Sequence, residues 1–362
     1  MSSSVSLPGK LAQLASYFEQ HGNYIYKGKS PENSSPLYAY LSQQVSQDPD
    51  LLALLVNVDT STTVTNLFFS AVHFLLLKQP VHPLAKFYPD LTAQPRPPHE
   101  SYPPFRSFCL EHKEELIHLI TTRPVQINEV RRCSALALAF CLLGQRLQGQ
   151  PLALVEIGTS AGLHLLWDSY AYDYGEGRSL GSQESSVRIV SAFEGSFPIP
   201  GKQPFPLVAS RVGLDLNPLD VHNEDDMLWL RALLWPEHHD SQQLLQSAIE
   251  VVRQHTLPLV RGDASMTLPQ VIAAIPRKHA LCIYHSYTLN QVPRQIRKNI
   301  LDQILQHAQQ RDLYRIEQEG YSFQQSPSLL LHTYQNGQMR SEHLASCESR
   351  GRWIKWQPTQ VN

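Results

Sequence analysis

The chain has 362 residues, of which 42% are hydrophobic and 17% charged, with a formal net charge of −2. That length supports a large core and roughly two domains. The near-neutral balance, with lysine and arginine spread out, excludes a general polyanion binder, so no nucleic acid is expected as a partner.

Helical periodicity comes first. Leu11, Leu14, Ala15 and Phe18 share one face, and Asp50–Val56 continues a second apolar segment. Leu67, Phe68, Val72, Phe74 and Leu75 mark a third helix, Phe108–Ile120 a fourth, and Val130–Leu143 is apolar on nearly every side. Together they predict a mainly helical N-terminal domain over residues 1–148. The segment Pro83–Pro104, with Pro89, Pro95, Pro97, Pro98 and Pro103, reads as a loop, because proline lacks a donor and blocks helix continuation. The apolar runs Leu67–Leu77 and Cys133–Leu143 fall short of the roughly 20 residues of a bilayer span, so no membrane is expected.

From Leu152 the rhythm changes. Leu152–Ile157 reads as a strand, Gly158 to Gly162 as a turn, and Leu163–Trp167 as an opening helix. A second strand, Leu207–Leu214, ends at Asp215 and is followed by helical stretches Glu224–Leu234 and Gln242–Gln254. A third, Leu257–Val260, ends at Gly262-Asp263, and a fourth, Ala280–Tyr284, at His285-Ser286. After an amphipathic helix carrying Ile296, Ile300, Ile304 and Leu305 comes a fifth strand, Leu313–Ile316. Strands alternating with helices imply a parallel sheet, because parallel strands need crossovers. The tail reads as antiparallel: Leu329–Tyr334, the hairpin signal Asn336-Gly337, Met339–Leu344 and Trp353–Trp356. The expectation is an α/β domain over 149–362, interrupted by an inserted excursion at about 168–206.

Five cysteines at wide spacings, Cys109, Cys133, Cys141, Cys282 and Cys347, read as buried free thiols in a reducing, cytoplasmic setting. The start of the chain, residues 1–6, has no basic region followed by an apolar run, so no signal peptide is expected. His238-His239 is the densest histidine cluster, but no HExxH or CxxC spacing occurs and no metal is expected.

The candidate chemistry sits at the ends of the strands, where open α/β sheets bind ligands. A strand running into Glu156-Ile157-Gly158-x-Ser160-x-Gly162 and then a helix puts N–H groups and a positive dipole end beside a ligand. Gly158 makes the tight turn, and Gly162 lets a ligand or a neighbouring strand pack closely. The spacing is not the GxGxxG of dinucleotide enzymes, which disfavours a nicotinamide-dependent oxidoreductase. Asp215 can accept both hydroxyl protons of a ribose, and Asp263 with Ala264 can meet an adenine; a helix cap or surface turn is the plain alternative for either aspartate. His285 can take a proton from an acceptor, or it is a polar strand end that bonds locally. Ser286 beside it points to the opposite face, so no nucleophile–base couple is assumed, and no GxSxG elbow supports a hydrolase. Asn128, Glu129 and Arg132 can reach the pocket or act as ordinary caps. Tyr170, Tyr172 and Tyr174 alternate as in a strand and either line an acceptor pocket or pack the core; Tyr287 is a further pocket candidate.

Over roughly Leu152 to Ile316 this arrangement resembles the class I S-adenosylmethionine-dependent methyltransferases, with Ser160 where glycine is usual. The resemblance implies a Rossmann-like, methyltransferase-type fold. It places Glu156, Gly158, Ser160 and Gly162, with Thr159 among them, beside the methionine portion of S-adenosylmethionine, Asp215 on the ribose, and Asp263 with Ala264 on adenine. Most of the chain is also similar to a bacterial family catalogued as domain of unknown function 2332. The stretches that carry this are Gln126-Ile127-Asn128-Glu129-Val130-x-Arg132, Glu156 to Leu163, Gly213-Leu214-Asp215-Leu216-Asn217-Pro218-Leu219-Asp220-Val221, Trp229-Leu230-Arg231-Ala232, Trp235-Pro236-Glu237, Gly262-Asp263-Ala264 and His285-Ser286. That name implies no activity. The leading expectation is an S-adenosylmethionine-binding methyltransferase acting on a small molecule, with the helical half and the excursion as a lid; the alternative is a non-catalytic or regulatory binder of an adenosyl ligand. The short link from Gln318 to Pro327 leaves the strand order at the C-terminal sheet edge open.

Overall fold

The computed structural model describes residues 6–28, 30, 33–58, 64–199, 205–321 and 325–361; the start of the chain and part of the Gln318 to Pro327 link lie outside these residues. The chain forms two compact units, Met1–Ile127 with Glu224–Gln242, and Asn128–Asn223 with Gln243–Asn362. The helical unit thus ends at Ile127 instead of near 148, and it takes back a segment from far along the chain. The reason is aromatic packing: Trp229 meets Phe74 at 5.7 Å and Trp235 meets Tyr26 at 5.1 Å between ring centroids.

The first unit contains α1 (Leu7–Gln20), α2 (Pro36–Val45), α3 (Pro49–Ala53), α4 (Val64–Lys78), α5 (Tyr102–Glu111) and α6 (Lys113–Thr122). The second unit opens with α7 (Cys133–Arg146), and α8 (Glu224–Ala232) belongs again to the first. Ser35 and Asp48 cap α2 and α3, each followed by a proline whose missing N–H costs nothing in the first turn. The same property corrects the reading of the proline-rich stretch. Pro83–Phe87 and Pro98–Glu100 are short 3-10 turns, and Pro103 and Pro104 lie in the first turn of α5. The expected single helix over Phe108–Ile120 is two helices, broken where His112 leaves helical geometry at φ −103°, ψ 24°.

The second unit is built on β1 (Leu152–Ile157), β2 (Ala171–Asp173), β3 (Ser179–Leu180), β4 (Arg188–Val190), β5 (Ala192–Gly195), β6 (Val208–Asp215), β7 (Leu259–Arg261), β8 (Ala280–Ser286), β9 (Leu313–Glu319), β10 (Ser328–Gln335), β11 (Gln338–Cys347) and β12 (Trp353–Val361). Three further helices follow α8: α9 (His239–Arg253) precedes β7, α10 (Ala264–Ala274) links β7 to β8, and α11 (Arg294–Ala308) links β8 to β9. The main sheet has nine strands in the order β5-β12-β11-β10-β9-β8-β1-β6-β7. Numbered among themselves in chain order, the five strands β7-β6-β1-β8-β9 read 3-2-1-4-5, and all their pairings are parallel. The order therefore reverses between β1 and β8. Ile157 lies opposite both Leu214 and His285, so the carboxyl ends of β6, β1 and β8 are level.

The C-terminal edge is an antiparallel succession, β9 to β12, and its far side is closed by β5, which pairs parallel with β12. β5 comes from the excursion, whose other strands make a separate sheet, β3-β2-β4. On one face of the main sheet Val155, Ile157, Leu281, Ile283 and Leu313 pack with Leu268 and Ile272 of α10 and Ile300 and Ile304 of α11. Each such side chain stabilises the fold by about 1.5–3 kcal/mol relative to exposure. All five cysteines are buried and free. Among the described residues no helix is long and apolar enough to cross a membrane.

Leu163–Trp167, expected as an opening helix, lies instead in a seven-residue 3-10 segment, Leu163–Ser169, kinked at Leu166. Its carbonyls are taken by side chains: Tyr170 donates to Leu163 O at 2.6 Å, Arg211 to Leu165 O at 2.7 Å and Tyr172 to Trp167 O at 2.5 Å. No α-helix dipole therefore points at the turn after β1.

Candidate functional site

The turn after β1 carries three departures from ordinary backbone, at alternate positions. Gly158 and Gly162 sit at φ +78° and +77°, and between them Ser160, with a full side chain, holds φ +53°. A Cβ on Gly158 would overlap the side chain of Thr288, from the loop after β8. One on Gly162 would stand 3.1 Å from Leu257 and 3.4 Å from Leu259. Both glycines are thus explained by protein packed against them, at Gly162 by Leu259 at the start of β7 and Leu257 just before it. Gly158→Ala is expected to destabilise the unit by about 2–4 kcal/mol, combining a left-handed penalty with overpacking. Thermal denaturation should show a fall of roughly 5–15 °C in Tm; a melting curve that overlays the wild type would mean that Thr288 moves aside freely.

The aspartates at the tips of β6 and β7 have different tasks. Asp215 accepts from Ser160 N through Oδ2 at 2.8 Å and from Asn217 N through Oδ1 at 2.8 Å. Its own carbonyl accepts from Gly262 N at 2.9 Å. One residue thereby joins the ends of three adjacent strands. Asp263 is the cap of α10, accepting from Ser265 N at 2.8 Å, and Ala264 is the first residue of that helix and is buried in the core. For Asp263 the plain capping role is the one the geometry displays.

A polar layer lies beneath the turn. Glu156, 1% exposed, accepts from Thr159 Oγ1 at 2.7 Å and contacts His164 Nδ1 at 3.2 Å, and His164 Nε2 meets Glu129 O at 3.0 Å. Asn128 donates to Thr159 O at 3.0 Å. Among the described residues its buried Oδ1 has no partner, and neither has Ser160 Oγ. Glu129 accepts from Arg131 N as the cap of the turn Val130–Arg132 that precedes α7. Arg132 reaches forward, donating to Ser349 O at 2.9 Å, with its guanidinium 4.0 Å over the Tyr287 ring.

A family described as "uncharacterized protein conserved in bacteria (DUF2332)" matches residues 25–356. The chain belongs to this family. No curated protein and no solved structure matches it. For this DUF2332 protein the chemistry is therefore argued from its own side chains.

His285 and Ser286, at the end of β8, do face opposite ways. His285 is fully buried, with Nδ1 2.7 Å from Glu319 and Nε2 3.1 Å from Arg315 Nη1. Arg315 is a donor only, so the imidazole accepts at Nε2 and donates at Nδ1, and both nitrogens are engaged. Ser286 donates to Gln318 Oε1 at 3.1 Å. Tyr170, Tyr172 and Tyr174 are buried, and their hydroxyls go to the carbonyls of Leu163, Trp167 and Ser134; Tyr170 packs the core.

Sequence reading missed the partners of His285. Glu319 accepts not only from the imidazole but from the backbone N–H groups of Thr288, Leu289 and Asn290, at 3.0, 2.9 and 3.2 Å. Arg315 also donates to Glu317 at 2.6 Å, and His332 on β10 lies 3.5 Å from the same oxygen. Burial alone would raise Glu317, but the hydrogen bond from His332 and the charge of Arg315 hold its carboxyl well below the usual carboxylate range. Burial pushes the His332 imidazole down. The one signal available was the alternation Arg315-x-Glu317-x-Glu319, which puts three charges on one face of a strand.

Proposed function

We propose that the second unit binds S-adenosylmethionine across the carboxyl ends of β1, β6 and β7 and donates its methyl group to a small molecule. The observation that carries this reading is the joining of those ends by Asp215: Ser160 N to its carboxylate at 2.8 Å and Gly262 N to its carbonyl at 2.9 Å. The turn and the two acidic tips are thereby neighbours, as an adenosine lying across them requires. The strand order 3-2-1-4-5 supports the reading, because doubly wound sheets bind nucleotides outside the strand ends where the order reverses. Ser160 and Tyr287, each at φ +53°, flank that reversal in the turns after β1 and β8. Backbone strain of this kind persists where the surroundings enforce it and concentrates at binding sites.

When bound, the sulfonium would supply an electrophilic methyl carbon, which an acceptor lone pair takes as the C–S bond breaks. The protein's task is then mostly alignment. The engagement of both His285 nitrogens favours a second reading, an adenosyl-ligand binder without turnover.

Calorimetric titration with S-adenosylmethionine and S-adenosylhomocysteine tests the proposal, with saturable one-to-one binding as the expected result. No heat, together with no retention in equilibrium dialysis at millimolar ligand, would sink it. Binding without transfer of a labelled methyl group to a metabolite extract selects the second reading.

A further inference from the structure

Arg132 is 7% exposed and is held by a carbonyl and an aromatic face. Among the described residues its Nη groups form no hydrogen bond and no carboxylate pairs with it. Glu129, Glu319 and Glu348 stand near enough to favour its charge, although burial, the larger influence, pushes its pKa down. Those acids are turned elsewhere: Glu129 to Arg131 N, Glu319 to the N–H groups of 288–290, and Glu348 to Arg350 N and Arg352 N. With only one of its five N–H groups engaged by protein, the guanidinium keeps its Nη donors for whatever reaches them.

Tyr287 beneath it is in the same condition. Its hydroxyl is buried without a partner among the described residues, and burial pushes the phenol pKa up, so it stays a donor. Its backbone is left-handed, an outlier for a bulky side chain. Tyr287 N donates to Gln318 O at 3.0 Å, and Gln291 donates to Tyr287 O, so the conformation is pinned from two sides.

We propose that Arg132 and Tyr287 form an anion-binding corner of the ligand site on the side where β8 adjoins β1, receiving a carboxylate or phosphate group of the small molecule held across the ends of β1, β6 and β7. The inference rests on the reading that a ligand occupies those strand ends. A guanidinium held over an aromatic ring and anchored through Nε is left with its paired Nη donors, which a carboxylate or phosphate accepts, and the phenol adds another donor. The anionic group has two possible sources, the amino-acid carboxylate of the adenosyl ligand or an acid group on the acceptor.

Wild type, Arg132→Gln and Tyr287→Phe would be titrated with S-adenosylhomocysteine, which carries a carboxylate, and with methylthioadenosine, which does not. Inorganic phosphate and citrate would be titrated separately. The expected result is binding of at least one anionic probe that weakens about tenfold or more in Arg132→Gln and less in Tyr287→Phe, with methylthioadenosine unaffected. Loss confined to S-adenosylhomocysteine assigns the corner to the adenosyl ligand's carboxylate, and loss confined to phosphate or citrate assigns it to the acceptor. Arg132-dependent binding of phosphate or citrate without any adenosyl binding would refute the adenosyl reading and keep the corner. Equal affinities for every anionic probe in all three proteins, or a wild type that binds none, overturn it. Tyr287→Phe removes only a hydroxyl with no partner; should Arg132→Gln fail to fold, unchanged anion affinity in Tyr287→Phe is itself the overturning result.

Discussion

Glu319→Ala is expected to lower the stability of the second unit by about 3–5 kcal/mol, the range for breaking a buried, charged network, and its Tm by roughly 10 °C. The carboxylate is 3% exposed and gathers four donors: His285 Nδ1 and the N–H groups of Thr288, Leu289 and Asn290. Truncation strands all four in an interior where an unsatisfied donor costs about 1–3 kcal/mol each, less what relaxation and water recover. The loop it holds also carries Tyr287 and the Thr288 side chain that packs on Gly158. Glu319→Gln, which keeps the shape and one carbonyl acceptor, should fall between the two. Thermal and urea denaturation followed by circular dichroism measure both variants, and a loss under about 1 kcal/mol in the alanine variant would show that the loop is held by packing instead.

Asp215→Ala is expected to weaken S-adenosylmethionine binding about 100-fold or more. Two hydrogen bonds from ribose hydroxyls to a carboxylate are worth about 1.5–3 kcal/mol each, and every 1.4 kcal/mol is about tenfold in affinity. The variant is not structurally silent, because Ser160 N and Asn217 N lose their acceptor, so a stability loss of about 1–3 kcal/mol accompanies it. Asp215→Asn separates the effects, since it keeps the side chain's shape and a carbonyl oxygen while removing the charge. Calorimetry on the folded variants, checked by their melting curves, provides the measurement. An affinity equal to wild type would remove Asp215 from the ligand site and with it the adenosyl assignment.

How much of this was legible in the sequence differs by element. β1, β6 and β10 lie close to where their apolar runs begin and end, β11 and β12 run three and five residues past theirs, and α4 and α11 lie where their periodicity puts them. β8 and β9 extend beyond the expected ends, by His285-Ser286 and Glu317-Gln318-Glu319. Those residues look like loop by composition, yet every one is buried, because their partners arrive from distant parts of the chain. The segment after Gly162 was misread for the complementary reason: its apolar residues fit a helix, but Tyr170, Tyr172 and Arg211 claim its carbonyls.

At the site, the sequence brought Asp215, Asp263 and the turn at 158–162 under suspicion but left each aspartate open between ligand contact and cap. The fold gives Asp263 to the N-terminus of α10 and Asp215 to Ser160 and Asn217. It likewise turns His285 from a candidate base into the centre of a network with Glu319 and Arg315.

By itself the sequence determined the alternation of strands and helices, the absence of dinucleotide spacing, and the candidate strand ends, because apolar periodicity and glycine turns are local properties of consecutive residues. The tertiary structure alone decided the 3-2-1-4-5 order, the pairing of β5 with β12, and which polar groups are satisfied and which are left waiting. The physical reason is that a buried polar side chain takes its role from the donors and acceptors it meets, and Asp215, His285 and Arg132 meet partners 30 or more positions away.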